Sequence, residues 1–213
     1  MKIIKWFLFI VFLQIAFSSS AQKIKGMLIL GMNMSQVDGD RVFGYHKFGV
    51  NAGVGAILPI SDAFSIHVET LLNQKGARQG VRYEDSLDGS YKMNLQYAEV
   101  PFYLNFFDKK GKMSIGAGFS YGKLVGFTEK QNGYKIEFPH TYITKPKSTD
   151  FSGFLNLYVP IKAGLKLNFR YSYSLQSIRK RYFSDGAFRE QYNNVLSFRL
   201  IYIFNDKVKL KDD

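Results

Sequence analysis

Three histidines, His46, His67 and His140, are the residues of this sequence best suited to acid–base or metal chemistry. None of them lies in an H-E-x-x-H arrangement, and no serine, histidine and aspartate follow a spacing typical of hydrolases. The chain contains no cysteine, so thiolate metal ligands and disulfides are excluded. We therefore predict structural or solvated histidines, no enzymatic activity, and no bound metal or cofactor.

A glycine-rich stretch from Gly49 to Gly55 is the other candidate for chemistry, because glycine-rich loops can hold phosphate groups. This stretch lacks the lysine of a phosphate-binding loop, and no predicted helix follows it. Its residues alternate as in a strand, where glycines on one face relieve crowding. The sequence therefore predicts no phosphate site here.

The N-terminus has the pattern of an export signal. Lys2 and Lys5 precede a short apolar run from Trp6 to Phe17, and small residues follow it. A dozen or so apolar residues are too few to cross a bilayer, which needs about 20. We predict that residues 1–21 form a cleaved signal peptide and that 22–213 form the mature domain; an uncleaved anchor is the alternative.

The remainder of the chain alternates between apolar and polar residues with a period of two, which predicts β-strands. The clearest example runs from Leu165 to Ser174. Short turns near 60–62, 108–111 and 160–162 alternate with long polar connections. The predicted strands are 25–35, 45–59, 63–76, 94–107, 112–127, 150–160, 163–175 and 193–204, and the long connections are 36–44, 77–93, 128–149 and 176–192.

The two faces of these strands predict a membrane location. One face is apolar and rich in Phe, Tyr and Leu, whereas the other carries glycine, serine, asparagine and charged residues. A soluble barrel, the alternative, would place its apolar residues inside. Lipid offers no hydrogen-bond partners, so a sheet that spans it must close. We predict an all-β protein: an eight-stranded antiparallel up-and-down transmembrane β-barrel in the outer membrane of a Gram-negative cell, with short periplasmic turns and long extracellular loops.

Aromatic residues and the C-terminus fit this topology. Phe169 and Phe198 are predicted to point into lipid near mid-membrane, and tyrosines at strand ends to form interfacial girdles. The mostly polar tail 205–213 is predicted to lie in the periplasm. The girdle tyrosines are Tyr45, Tyr103, Tyr121 and Tyr173.

Strand parity predicts that four charged residues face the lumen: Glu69, Glu99, Arg170 and Arg199. The glutamates lie on the third and fourth predicted strands, and the arginines lie on the seventh and eighth, which form the opposite wall. A barrel of about eight strands is narrow enough for long side chains to meet, and unpaired buried charges are costly. We predict a lumen ion-pair network that stabilises the fold rather than gating a pore.

The formal net charge of +12 reflects basic residues in the long connections. One interpretation is contact with the phosphates of lipopolysaccharide among the outer-membrane lipids, for which arginine and lysine are suited. The other is ordinary solvated loop charge. Nucleic-acid binding would also suit a basic chain, but the leader and the membrane-type strands argue against it. The candidate residues are Arg78, Arg82, Lys145, Lys147, Arg179, Lys180 and Arg181.

Several short motifs resemble the PorT-like outer-membrane β-barrel family. They include Gly31-Met32-Asn33-Met34-Ser35, Gln74-Lys75-Gly76 and Tyr97-Ala98-Glu99-Val100-Pro101-Phe102. The resemblance extends over nearly the whole mature chain and implies an eight-stranded outer-membrane barrel. The family takes its name from a component of protein secretion across the outer membrane, and no residue here singles out that role.

Two classes of function fit this prediction. The first is a structural or interaction barrel, which stabilises the envelope or docks with other envelope proteins, as an accessory component of secretion would. The second is a barrel that transports or binds a small solute. A barrel of about eight strands is normally filled by its own side chains, which favours the first class.

Overall fold

A computed structural model describes residues 24–79, 90–138, 144–183 and 186–206. The predicted signal peptide, 1–21, and most of the predicted tail, 207–213, lie outside the described residues. No helix in the described ranges is long and apolar enough to cross a membrane. The strands are β1 (Lys25–Asp38), β2 (Lys47–Pro59), β3 (Phe64–Arg78), β4 (Tyr91–Phe107), β5 (Ser114–Gln131), β6 (Tyr134–Lys135), β7 (Thr149–Lys162), β8 (Leu165–Ser174), β9 (Arg179–Tyr182) and β10 (Phe188–Ile203).

Eight of these strands form a closed antiparallel ring in the order β1, β2, β3, β4, β5, β7, β8, β10. The ring closes where β10 pairs with β1, from Met27 opposite Ile203 to Asp38 opposite Tyr192. Closure leaves the ring without a free edge, so its backbone groups find partners within the sheet. The predicted eight-stranded, antiparallel, up-and-down architecture is confirmed. The short strands β6 and β9 extend β5 and β10 beyond the ring.

Short turns join the strands at one end of the ring, which we call the turn end. The side chain of Ser61 accepts a hydrogen bond from the Phe64 amide at 3.0 Å, and Asp108 accepts one from the Gly111 amide at 2.9 Å. Between β7 and β8, Gly164 adopts a φ of 77°, which favours glycine. These local bonds allow tight reversals, and the long connections all lie at the opposite, loop end.

Several strands, among them β4, β5 and β10, run further toward the loop end than the sequence predicted. β4 begins at Tyr91, β5 ends at Gln131 and β10 begins at Phe188, whereas the predicted limits were 94, 127 and 193. These extensions are mostly polar on both faces, so the alternation that reveals a half-apolar strand is absent there.

The outer wall of the ring is apolar. Phe169 and Phe198 point outward, are 38% and 44% exposed, and pack edge to face with ring centroids 5.5 Å apart. Such a surface requires a lipid environment, because a water-soluble protein rarely exposes a continuous apolar patch of this extent. Other outward residues include Leu28, Leu30, Val54, Phe102, Leu104, Ile115, Phe119, Leu155 and Leu200.

Side chains fill the interior. An apolar cluster that includes Met27, Ile57 and Ile203 lies toward the turn end, and a second with Met93 and Leu95 lies toward the loop end. Polar layers lie between and around these clusters. The prediction that Tyr103 belongs to an interfacial girdle was wrong: it is 1% exposed and faces the lumen, because it shares the strand parity of Glu99.

Candidate functional site

The lower layer of the lumen is built around the Glu69 carboxylate. Its Oε2 accepts a hydrogen bond from Arg199 Nη1 at 2.9 Å, and its Oε1 accepts one from Arg170 Nη2 at 3.0 Å. Tyr103 donates a further bond to Oε1 at 2.6 Å. Glu69 lies on β3, whereas the arginines lie on β8 and β10, so these contacts cross the barrel interior. Each of the three charged side chains is at most 3% exposed.

Two asparagines orient the arginines of this layer. Arg170 donates from Nε to Asn156 Oδ1 at 2.8 Å, and Arg199 donates from Nε to Asn168 Oδ1 at 2.7 Å. Each guanidinium is therefore held at its Nε by an amide oxygen and at its terminal nitrogens by the carboxylate. Such bonds to charged groups are stronger than neutral ones and fix the side-chain geometry.

The middle layer is built around Lys75. Its ammonium lies 3.0 Å from Glu99 Oε2 and 3.2 Å from Asp150 Oδ2. Asn73 donates to Glu99 at 2.7 Å, and Asn193 donates to Asp150 at 2.8 Å. The expected pairing of Glu99 with the arginines was wrong. Glu99 pairs instead with Lys75, which faces the lumen because it has the same parity on β3 as Glu69.

Charge is balanced across these two layers. The lower layer has two guanidinium groups and one carboxylate, and the middle layer has one ammonium and two carboxylates. Three positive and three negative side chains therefore occupy adjacent levels of one buried interior. Neither layer is neutral by itself, and each offsets the excess charge of the other.

An upper layer closes the loop end. Arg179 of β9 donates to Glu129 of β5 at 2.6 Å and to the Tyr91 hydroxyl at 3.0 Å. Arg181, two residues along the same strand, is 5% exposed and lies over the Tyr91 ring, 5.4 Å from its centroid. The prediction that Arg179 and Arg181 face lipopolysaccharide was wrong. The β9–β10 hairpin turns both of them inward, and they pack within the barrel.

The other predicted lipopolysaccharide residues occupy two places. Arg78 is exposed at the loop end of β3. Lys145, Lys147 and Lys180 are exposed near β9, where the Lys147 amide donates to the Ile178 carbonyl at 2.7 Å. The structure thus divides this set between two regions of the loop end. Arg82 lies outside the described residues.

An ionic contact secures the turn end. Asp206, the last described residue, lies 2.9 Å from Lys25 and 3.2 Å from Lys166. Burial by itself would raise the pKa of Asp206, but the two lysines hold it below its usual value. The start of the predicted periplasmic tail, 205–213, is therefore joined to β1 and β8.

His67 connects the turn end to the lower layer. One ring nitrogen lies 2.9 Å from Ser65 Oγ, and the other lies 3.1 Å from the Tyr103 hydroxyl. A serine beside a histidine resembles the first two members of a hydrolytic triad, but a tyrosine hydroxyl takes the place of the orienting carboxylate. Among the described residues, no group of three or more His, Asp or Glu has the arrangement of a metal site.

Comparisons with known proteins identify the family of this chain and its fold. A family model described as "Outer membrane protein beta-barrel domain" matches residues 18–180. No curated protein matches the chain. The crystal structure of Ail, the attachment invasion locus protein of Yersinia pestis, is similar at 14% identity and a TM-score of 0.50, over 84% of this chain and 98% of Ail. OprG from Pseudomonas aeruginosa is 13% identical, with a TM-score of 0.42 over 85% of this chain and 94% of OprG.

Proposed function

Since the chain belongs to the outer membrane protein beta-barrel domain family, we propose that it serves the envelope as a structural or interaction barrel whose lumen passes no solute. Its location is the outer membrane. In this proposal the turn end faces the periplasm and the loop end faces outward, as is general for outer-membrane barrels. In this proposal the protein acts through its outer wall and loops, and it performs no catalysis.

The observation that carries the proposal is the filling of the lumen at three levels. Glu69, Lys75 and Glu129 each form ion pairs inside the barrel, and the side chain of each is at most 1% exposed. A solute would have to break several charge-assisted hydrogen bonds at every level, which is costly in a dry interior. The largest fully buried side chains include Arg179, Arg199, Tyr97, Tyr103 and Lys75.

A cavity at the turn end bears on the alternative of a solute-binding barrel. It has a volume of about 220 Å³, and its lining includes Lys25, Lys166, Asp206 and His67. Sites for small molecules are usually about 300–1,000 Å³, so this cavity is small for one. His67 lies between the cavity and the Glu69 layer, which supports a closed end rather than an entrance.

A narrower form of the proposal follows from the PorT-like motifs. In that form the barrel docks within an assembly that secretes proteins across the outer membrane. A filled barrel suits such an accessory role, because the secreted protein would pass through another component.

Solute uptake by liposomes tests the proposal. Vesicles that contain the mature protein should take up small sugars no faster than protein-free vesicles, because the layered lumen leaves no path. Uptake that rises with the amount of inserted barrel would overturn the proposal. A matched Phe43→Arg variant, altered in an exposed loop residue, should behave like the natural protein.

A further inference from the structure

Four cationic residues stand side by side on the outer wall at the loop end. The backbone register places Arg78 of β3 opposite Lys92 of β4, and Lys92 opposite Lys130 of β5. It also places Lys130 opposite Lys135 of β6. All four side chains are exposed. On β3, β4 and β5 the adjacent residues Ala77, Met93 and Glu129 are buried and face the lumen. We call Arg78, Lys92, Lys130 and Lys135 the basic ladder.

This arrangement needs a counter-charge. Like charges directly opposite one another on neighbouring strands destabilise a sheet. In the part of the chain that the structure describes, none of the ion pairs involves a member of the ladder. Each of the three adjacent pairs therefore brings positive charges together without a described carboxylate. An anion from outside the barrel would reduce this repulsion and would be attracted by several positive charges at once.

A polar depression lies on the membrane side of the ladder. It has a volume of about 460 Å³ and is lined by Gln74, Asn94 and Thr128, together with Lys47, Lys92, Lys130 and Phe48. Asn94 and Thr128 are opposite each other in the register. Amides and a hydroxyl can bond to sugar hydroxyls, and the lysines above them can bind phosphate. The depression thus combines the groups that recognise a phosphorylated sugar.

The depth of the basic ladder in the membrane also supports a phosphorylated sugar as the ligand. The outward residues of β4 are apolar from Phe106 to Ala98, and Gln96, Asn94 and Lys92 then follow. A tilted strand crosses the hydrocarbon in about ten residues, which puts Gln96 near its outer boundary. Lys92 then lies on the order of 10 Å further out. That is the level of lipid headgroups.

We infer that the outer face of β3 to β6 binds the phosphorylated glucosamine headgroup of lipopolysaccharide in the outer leaflet. The inference deepens the proposed interaction role by naming a lipid partner and its binding residues. Arg78 belongs to the candidate set that the sequence suggested for this ligand, and Lys130 and Lys135 lie in the basic long connections on which that suggestion rested. Lys92, Lys130 and Lys135 join it because the register aligns them, while Arg179 and Arg181 are turned inward.

Binding of purified lipid A, compared with the same lipid after removal of its phosphates, tests the inference. The full mature protein in neutral detergent should bind phosphorylated lipid A, and the double variant Lys92→Gln/Lys130→Gln should bind it roughly tenfold more weakly or worse. The control Lys109→Gln/Lys110→Gln removes equal charge from exposed lysines at the turn end and should bind normally. Equal affinity for the dephosphorylated lipid, or equal loss in the control, overturns the inference.

The stability of the double variant distinguishes a bound lipid from a counter-charge that another part of the chain supplies. In phosphatidylcholine vesicles the variant should unfold at the same or a higher urea concentration than the natural protein, because repulsion is relieved. In vesicles that contain lipopolysaccharide it should unfold at a lower concentration, because a ligand of the native state is lost. A variant destabilised equally in both kinds of vesicle contradicts the inference. A barrel that binds no lipid A yet remains closed to sugars would leave the proposed function standing.

An acidic protein partner is the competing occupant, and the same measurements distinguish it. Such a partner predicts no preference between phosphorylated and dephosphorylated lipid A. It also predicts that lipopolysaccharide leaves the unfolding midpoint of the natural protein unchanged. Either result rejects the lipid ligand.

Discussion

Glu69 Oε2 and Arg199 Nη1 lie 2.9 Å apart across the barrel interior, although the two residues are 130 positions apart in the sequence. Glu69 stands on β3 and Arg199 on β10, with β1 and β2 between them in the ring. The bond therefore joins parts of the wall that the sheet ladder does not join directly. Because Arg170 of β8 also pairs with Glu69, this one buried carboxylate joins β3, β8 and β10.

Glu69→Gln should be strongly destabilising, by about 3–5 kcal/mol, because it leaves two buried guanidinium groups without their counter-charge. Urea unfolding in lipid vesicles measures the effect. Glu190→Gln is the matched control: Glu190 is exposed and 3.7 Å from Lys180, and its loss should change stability by about 1 kcal/mol at most. If the two variants unfold at the same urea concentration, the lower layer does not stabilise the barrel.

Lys75→Met should destabilise the barrel more than Glu99→Gln does. The first change leaves two buried carboxylates, Glu99 and Asp150, without their counter-charge. The second leaves Lys75 paired with Asp150 at 3.2 Å. Removal of one member of a buried pair typically costs about 3–5 kcal/mol, and Lys75→Met should lie at the upper end. Urea midpoints in the reverse order would show that Lys75 is not the centre of the middle layer.

Phe169→Arg should weaken folding into lipid vesicles by about 2–4 kcal/mol, the cost of an arginine on the lipid face near the midplane. Phe169 points outward against Phe198, within the apolar belt. Phe43→Arg introduces the same charge at a loop residue that is 70% exposed, and it should have little effect. Equal folding of both variants would contradict the assignment of the outer wall to lipid.

The contribution of Asp40 to the stability of the barrel should fall as pH rises from about 4 to about 7. Burial raises the pKa of Asp40, in the connection after β1, to about 7, and Arg179 and Arg181 only partly offset it. The folded state therefore binds a proton at Asp40 that the unfolded chain has already lost, so folding is favoured on the acid side of this window.

The contribution of Asp40 changes the unfolding free energy by at most about 1.4 kcal/mol per pH unit. Asp40→Asn should make the slope of the unfolding free energy against pH more positive, because the amide is neutral throughout and can still accept the hydrogen bond that the Val42 amide donates at 2.8 Å. Asp62→Asn, at a fully solvated turn, should retain the slope of the natural protein. An Asp40→Asn variant with an unchanged slope would show that this carboxyl is not the source.

The sequence predicted the ring of eight strands because half-apolar strands in lipid alternate over their whole membrane-spanning length. It did not predict the upper layer, since Glu129 and Arg179 lie where both faces of the chain are polar and parity leaves no pattern. Lys75 lies within the predicted strand 63–76 and shares the parity of Glu69, so parity already indicated the lumen. Tyr103 was misplaced because tyrosine is common in interfacial girdles, although its parity already indicated the interior.

The basic ladder illustrates what only register can reveal. Arg78, Lys92, Lys130 and Lys135 belong to four strands, and β6 contains only two residues. Their alignment depends on the pairing of β3 with β4 and of β4 with β5. The register of the β4–β5 pairing shifts between Gln96 and Tyr97. A one-residue change in register would move any of these side chains to the other face.

Planar-bilayer conductance tests the central claim, that the lumen is filled and the barrel acts through its outer surface. The natural protein, once its insertion has been verified, should give no steady open-channel current, because the Glu69, Lys75 and Glu129 layers block the path. Steady, reproducible unitary currents from the natural protein would contradict the claim and would establish a solute pathway through the lumen.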